Sequence, residues 1–123
     1  MSPTWETDIV NKYPKTFAQL RYFECSGGWQ GLIEEVAEIA EKHNNTQQNT
    51  DYHITAAQVK EKFGGLRFYI DSGEECPEDV YTEITNVIMS VENRSFTTCE
   101  ICGEPATYRK ERGWKKTLCD KHV

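Results

Sequence analysis

The sequence predicts an α+β fold, in which two amphipathic helices pack on a small antiparallel sheet and a ribbon-like unit follows at the C-terminus. Three observations predict it. Apolar residues recur at helical spacing in two segments, and apolar and polar residues alternate on both sides of Gly64-Gly65. Closely spaced pairs of cysteine and histidine residues lie near the C-terminus. We predict that residues 1–95 form the α+β body and that residues 96–123 form the C-terminal unit.

The first long helix is predicted from residue 29 to about residue 42, after a largely irregular segment 1–28 with one or two helical turns. Six apolar residues follow the helical period: Trp29, Leu32, Ile33, Val36, Ile39 and Ala40. Four carboxylates fall on the remaining arc and are expected to face solvent: Glu34, Glu35, Glu38 and Glu41. The polar run 44–49 favours a turn after the helix, because short polar side chains compete for backbone hydrogen bonds.

A β-hairpin is predicted with Gly64-Gly65 as a two-residue turn, since both positions tolerate positive φ. Its strands would span residues 52–63 and 66–70, with three same-face pairs: Phe63 with Leu66, Glu61 with Phe68, and Val59 with Ile70. This face, which also includes Ala57, is apolar apart from Glu61. The opposite face carries Lys60, Lys62, Arg67 and Tyr69. Because a hairpin alone is marginally stable, a third strand is expected from residues 21–25.

The second long helix is predicted to begin at Pro77, because proline suits the first helical position and acidic residues follow it. Its apolar residues at helical spacing are Val80, Tyr81, Ile84, Val87, Ile88 and Val91. The apolar stripes of both helices need a partner, and the hairpin offers one. The predicted contacts place Phe63, Leu66, Phe68 and Ile70 on Leu32, Val36, Val87 and Ile88.

The C-terminal cysteine and histidine residues form the most specific motif in the chain. Two residues separate Cys99 from Cys102, sixteen follow, and two separate Cys119 from His122. Pairs on two tight turns bring three thiolates and an imidazole to one tetrahedral site, a ligand set that suits Zn²⁺. Four protein ligands leave no open position for a catalytic water, so we predict a structural Zn²⁺ in a zinc-ribbon-like knuckle. Residues 107–118 are predicted to form a hairpin that turns near residues 111–113.

Charge and composition narrow the classes of function. Residues 1–95 contain 8 Lys+Arg and 16 Asp+Glu, so the body has a net charge of −8. Residues 96–123 contain 6 Lys+Arg and 4 Asp+Glu, so the tail has a net charge of +2, and the whole chain has a net charge of −6. An acidic body argues against tight non-specific binding to nucleic acid. No apolar run approaches the ~20 residues of a membrane helix, and no signal-peptide pattern begins the chain, so we expect a cytoplasmic protein. Without a catalytic constellation, we expect no enzyme activity.

Two groups of basic and aromatic residues are candidate partner-binding positions. The hairpin group is Lys60, Lys62, Arg67 and Tyr69, and the knuckle-loop group is Arg109, Arg112, Trp114 and Lys115. Aromatic residues beside arginine are typical anchors of protein interfaces, and also of contacts with nucleic acid. A protein partner is the favoured interpretation, with a nucleic-acid-binding accessory module as the alternative. The pattern is also that of a solvated loop whose Trp114 docks the tail on the body.

Five segments resemble, in order, a widespread family of small phage and prophage proteins with a C-terminal zinc knuckle. They are residues 13–17, 23–33, 59–69, 98–103 and 113–122. The resemblance implies a phage origin and the host cytoplasm, and it maps the family's Cys/His tail onto the four ligands named above. It implies no catalytic residue. We therefore expect a small non-enzymatic protein that binds and modulates a host protein, in counter-defence or host takeover.

Overall fold

A computed structural model describes residues 4–46, 52–110 and 113–123. The elements follow in the order α1 (Trp5–Lys12), a 3₁₀ turn (Gly27–Trp29), α2 (Gln30–Thr46), β1 (Thr55–Lys62), β2 (Gly65–Asp71), α3 (Glu78–Ser95), β3 (Thr107–Arg109) and β4 (Lys116–Leu118). Strands β1 and β2 form one antiparallel sheet, and β3 and β4 form a second. The predicted α+β class is therefore confirmed. None of the helices in the described ranges is both long enough and apolar enough to cross a bilayer.

The core lies between α2, α3 and the inner face of the β1–β2 hairpin. The fully buried residues include Trp29 in the 3₁₀ turn, Ile33 and Val36 in α2, and Ile84 and Val91 in α3. Most of the predicted core is confirmed: Leu32, Val36, Leu66, Phe68 and Ile88 are buried together, and Ile70 and Val87 pack against them. Phe63 is the exception, since its side chain is 60% exposed.

The predicted register of the hairpin is wrong by two residues. Lys62 pairs with Gly65, so the turn residues are Phe63 and Gly64, with φ of 55° and 89°. Gly65 begins β2, and a Cβ atom there would lie 2.3 Å from the ring of Phe96, so a larger residue does not fit without movement of that ring. A slip of two residues keeps the side chains of residues 58–62 and 66–70 on their predicted faces, which is why Leu66 is buried as expected.

An irregularity in β1 overturns the prediction for Ala57. Ala56 pairs with Ile70 and Gln58 pairs with Tyr69, so Ala57 is left out of the ladder as a bulge. Ala56 is consequently buried and Ala57 is exposed, although Ala57 had been expected on the apolar face.

The expected third strand from residues 21–25 is reduced to a single bridge. Glu24 lies parallel to β1, donates its N–H to the Val59 carbonyl at 2.9 Å and accepts the Glu61 N–H at 3.0 Å. The opposite edge of the sheet is covered by α3. There, Leu66 N–H donates to Ser95 Oγ and Phe68 N–H donates to a Glu92 carboxylate oxygen, both at 2.9 Å.

The C-terminal half of α2 holds two other segments by polar contacts. Glu41 is buried, and one of its oxygens accepts the Thr16 N–H at 2.9 Å and the Thr16 hydroxyl at 2.8 Å. The expectation that Glu41 faces solvent is therefore wrong, because the segment before α2 folds over it and needs an acceptor. Asn44 is also buried, and its amide bonds both the N–H and the carbonyl of Ile54.

Candidate metal centre

The structure brings Cys99, Cys102, Cys119 and His122 to one point, with their four donor atoms within 4.8 Å of one another. Cys102 Sγ lies 3.6 Å from Cys119 Sγ, and His122 Nδ1 lies 3.7 Å from Cys99 Sγ and 3.2 Å from Cys119 Sγ. A tetrahedral zinc site has edges of about 3.8 Å between sulfurs and about 3.5 Å between sulfur and nitrogen, as its bond lengths require. The four side chains can therefore hold a metal ion.

Two tight turns present these ligands. The first turn is closed by bonds from the Gly103 N–H to the Cys99 carbonyl and from the Cys99 N–H to the Glu104 carbonyl, at 2.9 and 2.8 Å. Gly103 has a φ of 83°, a conformation that glycine adopts without steric cost. The second turn is closed by the His122 N–H, which donates to the Cys119 carbonyl at 3.1 Å.

Strands β3 and β4 join the two turns. Thr107 pairs with Leu118 and Arg109 pairs with Lys116, so the hairpin predicted for residues 107–118 is confirmed. Of its predicted turn, residues 111 and 112 lie outside the described part of the chain.

The electrostatics of Cys99 favour its thiolate. Burial opposes ionisation of this thiol, but backbone N–H groups of Cys119, Cys102 and Ile101 outweigh burial and lower its pKa to about 6. A low pKa matters because the thiolate, not the thiol, binds metal. The turns therefore place the Cys99 sulfur next to the other three ligands and also favour the thiolate form that binds a cation.

The first cysteine turn is docked directly on the start of α2. Gly28 N–H donates to the Glu100 carbonyl at 2.7 Å, and the buried Trp29 indole N–H donates to the Thr98 carbonyl at 2.8 Å. A Cβ atom on Gly28 would lie 2.2 Å from the Cys99 carbonyl oxygen, so no larger residue fits without movement of the backbone. The backbone of the first cysteine turn therefore packs directly against the backbone of Gly28 in the body.

Strand β4 makes the second contact with the body, at the turn of the β1–β2 hairpin. The buried Thr117 hydroxyl donates to the Gly64 carbonyl at 2.7 Å, and Lys116 Nζ lies 3.3 Å from Glu61 and 3.4 Å from Glu100. Glu61 also accepts the Gly64 N–H at 2.7 Å. These bonds explain why a carboxylate stands on the otherwise apolar face of the hairpin.

Sequence reasoning did not identify Glu100, Lys116 or Thr117 as docking residues. Glu100 is buried, and its second carboxylate oxygen accepts the Ser26 N–H at 3.1 Å. The only signal in the sequence was the misfit at Glu61, which had no partner within its own hairpin.

The structure divides the predicted partner-binding residues into different environments. Arg109 is turned inward, where it donates to the Leu118 carbonyl and pairs with Asp120, both at 2.9 Å. Arg67 is half-buried, whereas Tyr69 is exposed with Lys60 Nζ 6.0 Å from its ring centre. Arg112 lies outside the described residues.

The exposed residues of the two groups include Lys62, Trp114 and Lys115. Lys62 and Lys115 both lie near Phe63, which had not been predicted as a partner-binding residue. Lys62 Nζ lies 5.5 Å and Lys115 Nζ lies 5.2 Å from the centre of the Phe63 ring. Trp114 is 59% exposed, so it is not packed into the body as the alternative required. The tip of the hairpin and the knuckle loop therefore form one surface. Phe63, Lys62, Lys115 and Trp114 are called the tip surface below.

Function has to be inferred from these contacts themselves. The four donor atoms define a metal ligand set, and the tip surface is an exposed group of aromatic and basic residues. No family model, curated protein or solved structure matches the chain.

Proposed function

We propose that this chain is a small non-enzymatic phage protein, held together by a structural Zn²⁺, that binds and modulates a host protein in the host cytoplasm. The role would be counter-defence or host takeover. The observation that carries the binding proposal is the approach of Lys115 to Phe63, which joins two surfaces that are distant in the sequence. The phage and host assignments rest on the resemblance of the five segments.

Zinc is favoured over other metals by the donor atoms. Three thiolates and one imidazole suit Zn²⁺, whereas Mg²⁺ and Ca²⁺ prefer oxygen ligands. A structural role is favoured because Cys99 and Cys119 are buried and because four protein donors lie close enough together to fill a tetrahedral site without a water ligand. Bound there, Zn²⁺ would supply folding energy to a knuckle whose strands are three residues each.

The thiols outside the knuckle do not favour nucleophilic chemistry. Burial raises the pKa of Cys25 to about 12, with smaller contributions from Glu100, Glu6 and Glu61, so its thiol is protonated at neutral pH. Burial also raises the pKa of Cys76. Since the thiolate is the reactive form, neither group is suited to attack a substrate. This supports a binding role rather than a catalytic one.

The first prediction concerns metal content. Protein purified without added metal is expected to contain one Zn²⁺ per chain by elemental analysis, because all four ligands are in place. Cys102→Ser removes one of the ligands and is expected to lose the metal. Fully folded protein with zinc well below one equivalent would contradict the proposal.

The second prediction concerns the binding surface. Lys60→Glu with Lys62→Glu, and separately Lys110→Glu with Lys115→Glu, are expected to abolish capture of the host partner from lysate. Charge reversal at an interface replaces attraction by repulsion. Lys15→Glu with Lys42→Glu is the matched control, since it makes the same change in net charge at two exposed positions that are not part of the tip surface.

The outcomes separate the two candidate partner classes. Capture that survives both test pairs, with the fold intact, would show that the surface is wrong. Labelled single- and double-stranded oligonucleotides are titrated in parallel at several salt concentrations. Binding that weakens steeply with salt and is lost in the test pairs would favour the nucleic-acid alternative.

A further inference from the structure

Phe63 has a backbone conformation that its side chain disfavours. Within residues 4–46, 52–110 and 113–123, it is the only non-glycine residue with a positive φ, at 55°. Together with Gly64 it forms a two-residue turn of the type in which asparagine, aspartate or glycine is preferred at both central positions. An aromatic side chain there costs conformational energy, and such strain concentrates at functional sites.

Burial of the ring does not offset this cost. Phe63 is 60% exposed, so folding removes less than half of its area from water. Its near neighbours are the ammonium groups of Lys62 and Lys115, which attract the ring face but repel each other. Neither the local backbone nor the core accounts for a phenylalanine at this position.

Among the residues that the structure describes, no carboxylate forms a salt bridge with Lys62 or Lys115. The Glu61 carboxylate adjoins the turn but is engaged by the Gly64 N–H and by Lys116. Lys62 and Lys115 are exposed, and the exposed Trp114 precedes Lys115 in the chain. The tip surface thus combines two large aromatic side chains with positive charge on a chain whose net charge is −6.

We propose that Phe63 anchors an interaction surface, completed by Lys62, Lys115 and Trp114, for an acidic polypeptide segment that presents an apolar or aromatic side chain. The proposal rests on the proposed function and names the chemistry of its partner. Aromatic anchors in the centre of an interface supply most of its binding energy, and a surrounding ring of charges sets the specificity.

A short polypeptide fits this surface better than a nucleic acid does. The tip surface is small, and the body as a whole, residues 1–95, carries a net charge of −8, so a long polyanion that extends past the tip would meet repulsion. In an acidic segment with one apolar side chain, the carboxylates can pair with Lys62 and Lys115 while the apolar side chain packs on the Phe63 ring.

The test uses the zinc-loaded full chain and three labelled polymers: a random glutamate–tyrosine copolymer, poly-L-glutamate and oligo(dT). Anisotropy titrations are expected to show the tightest binding to the copolymer, because only it supplies both carboxylates and an apolar contact. Phe63→Asn is expected to weaken that binding about tenfold or more, as loss of a central anchor does. Phe63→Trp, which retains an aromatic anchor, is expected to bind.

The stability of Phe63→Asn separates a binding role from a structural one. Asparagine suits the turn, so the variant is expected to unfold at the same temperature as the parent or higher. Tyr81→Asn, at an exposed aromatic residue of α3, is the matched control and is expected to leave binding unchanged.

Four results would overturn the proposal: no binding to the copolymer, equal binding to poly-L-glutamate, tighter binding to oligo(dT), or full binding by Phe63→Asn. Capture of a host protein by zinc-loaded Phe63→Asn at the parental level would also overturn it. That last result would leave the proposed function intact, with its partner bound elsewhere.

Discussion

Replacement of Cys102 with serine is expected to release the metal and unfold the knuckle. Cys102 is exposed, so the change removes a ligand with little effect on the core. The apparent binding free energy of a structural zinc is on the order of 10–16 kcal/mol, and most of it is lost when the tetrahedron cannot close. Elemental analysis is expected to show zinc well below one equivalent per chain.

The loss is expected to reach the body through the docking contacts. Release of Thr98 and Thr117 would free the Trp29 indole N–H and the Gly64 carbonyl, so tryptophan fluorescence and amide exchange at the hairpin turn should both change. The helices should persist, because the core between α2 and α3 contains no ligand. Far-ultraviolet circular dichroism measures this directly.

Cys76→Ser is the matched control for the metal prediction. This thiol is partly buried but lies outside the ligand cluster, so the variant should keep its zinc and its fluorescence. A Cys102→Ser protein with a full equivalent of zinc, or with unchanged exchange at Gly64, would contradict the role assigned to the centre.

Phe68→Ala is expected to cost about 3–5 kcal/mol of the free energy of unfolding, the range for loss of a buried aromatic side chain. Phe68 is 2% exposed, and its ring centre lies 6.4 Å from that of Phe17, so truncation leaves a cavity where the hairpin meets the segment before α2. Urea denaturation monitored by circular dichroism gives the midpoint from which this loss is obtained.

Phe63→Ala is the comparison for Phe68, because it removes the same ring from an exposed site in the same hairpin. Its effect on stability is expected to stay within about 0.5 kcal/mol, as for most surface substitutions. If both variants lose the same stability, the assignment of Phe68 to the core and of Phe63 to the tip surface is wrong.

The parts of the molecule that the sequence predicted are those that depend on local spacing. Helical periodicity identified α2 and α3, and paired spacing identified the metal ligands, because neighbouring residues decide both patterns. The register of the hairpin failed since either of two adjacent turns contained a glycine with freedom in φ. Phe96, thirty-one residues beyond Gly65, packs against that glycine, and this contact between distant segments has no signal in the local pattern.

Contacts between distant segments could not be predicted from one sequence. Glu41 has the right spacing for the exposed arc of a helix, and only the fold reveals that Thr16 lies over it. Lys116 reaches both Glu61 and Glu100, which lie fifty-five and sixteen residues away. Such polar docking has no period, so it leaves no pattern for sequence reasoning to detect.

The cover that α3 provides for β2 also bears on how the protein behaves at high concentration. The N–H groups of Leu66 and Phe68 donate to Ser95 and Glu92. Without these partners, the same N–H groups would be free to donate to the backbone of a strand from another molecule. Open strand edges are templates for edge-to-edge aggregation. A hairpin as apolar as β1–β2 is thereby protected from pairing along this edge, so molecules that meet there cannot extend the sheet into a fibril.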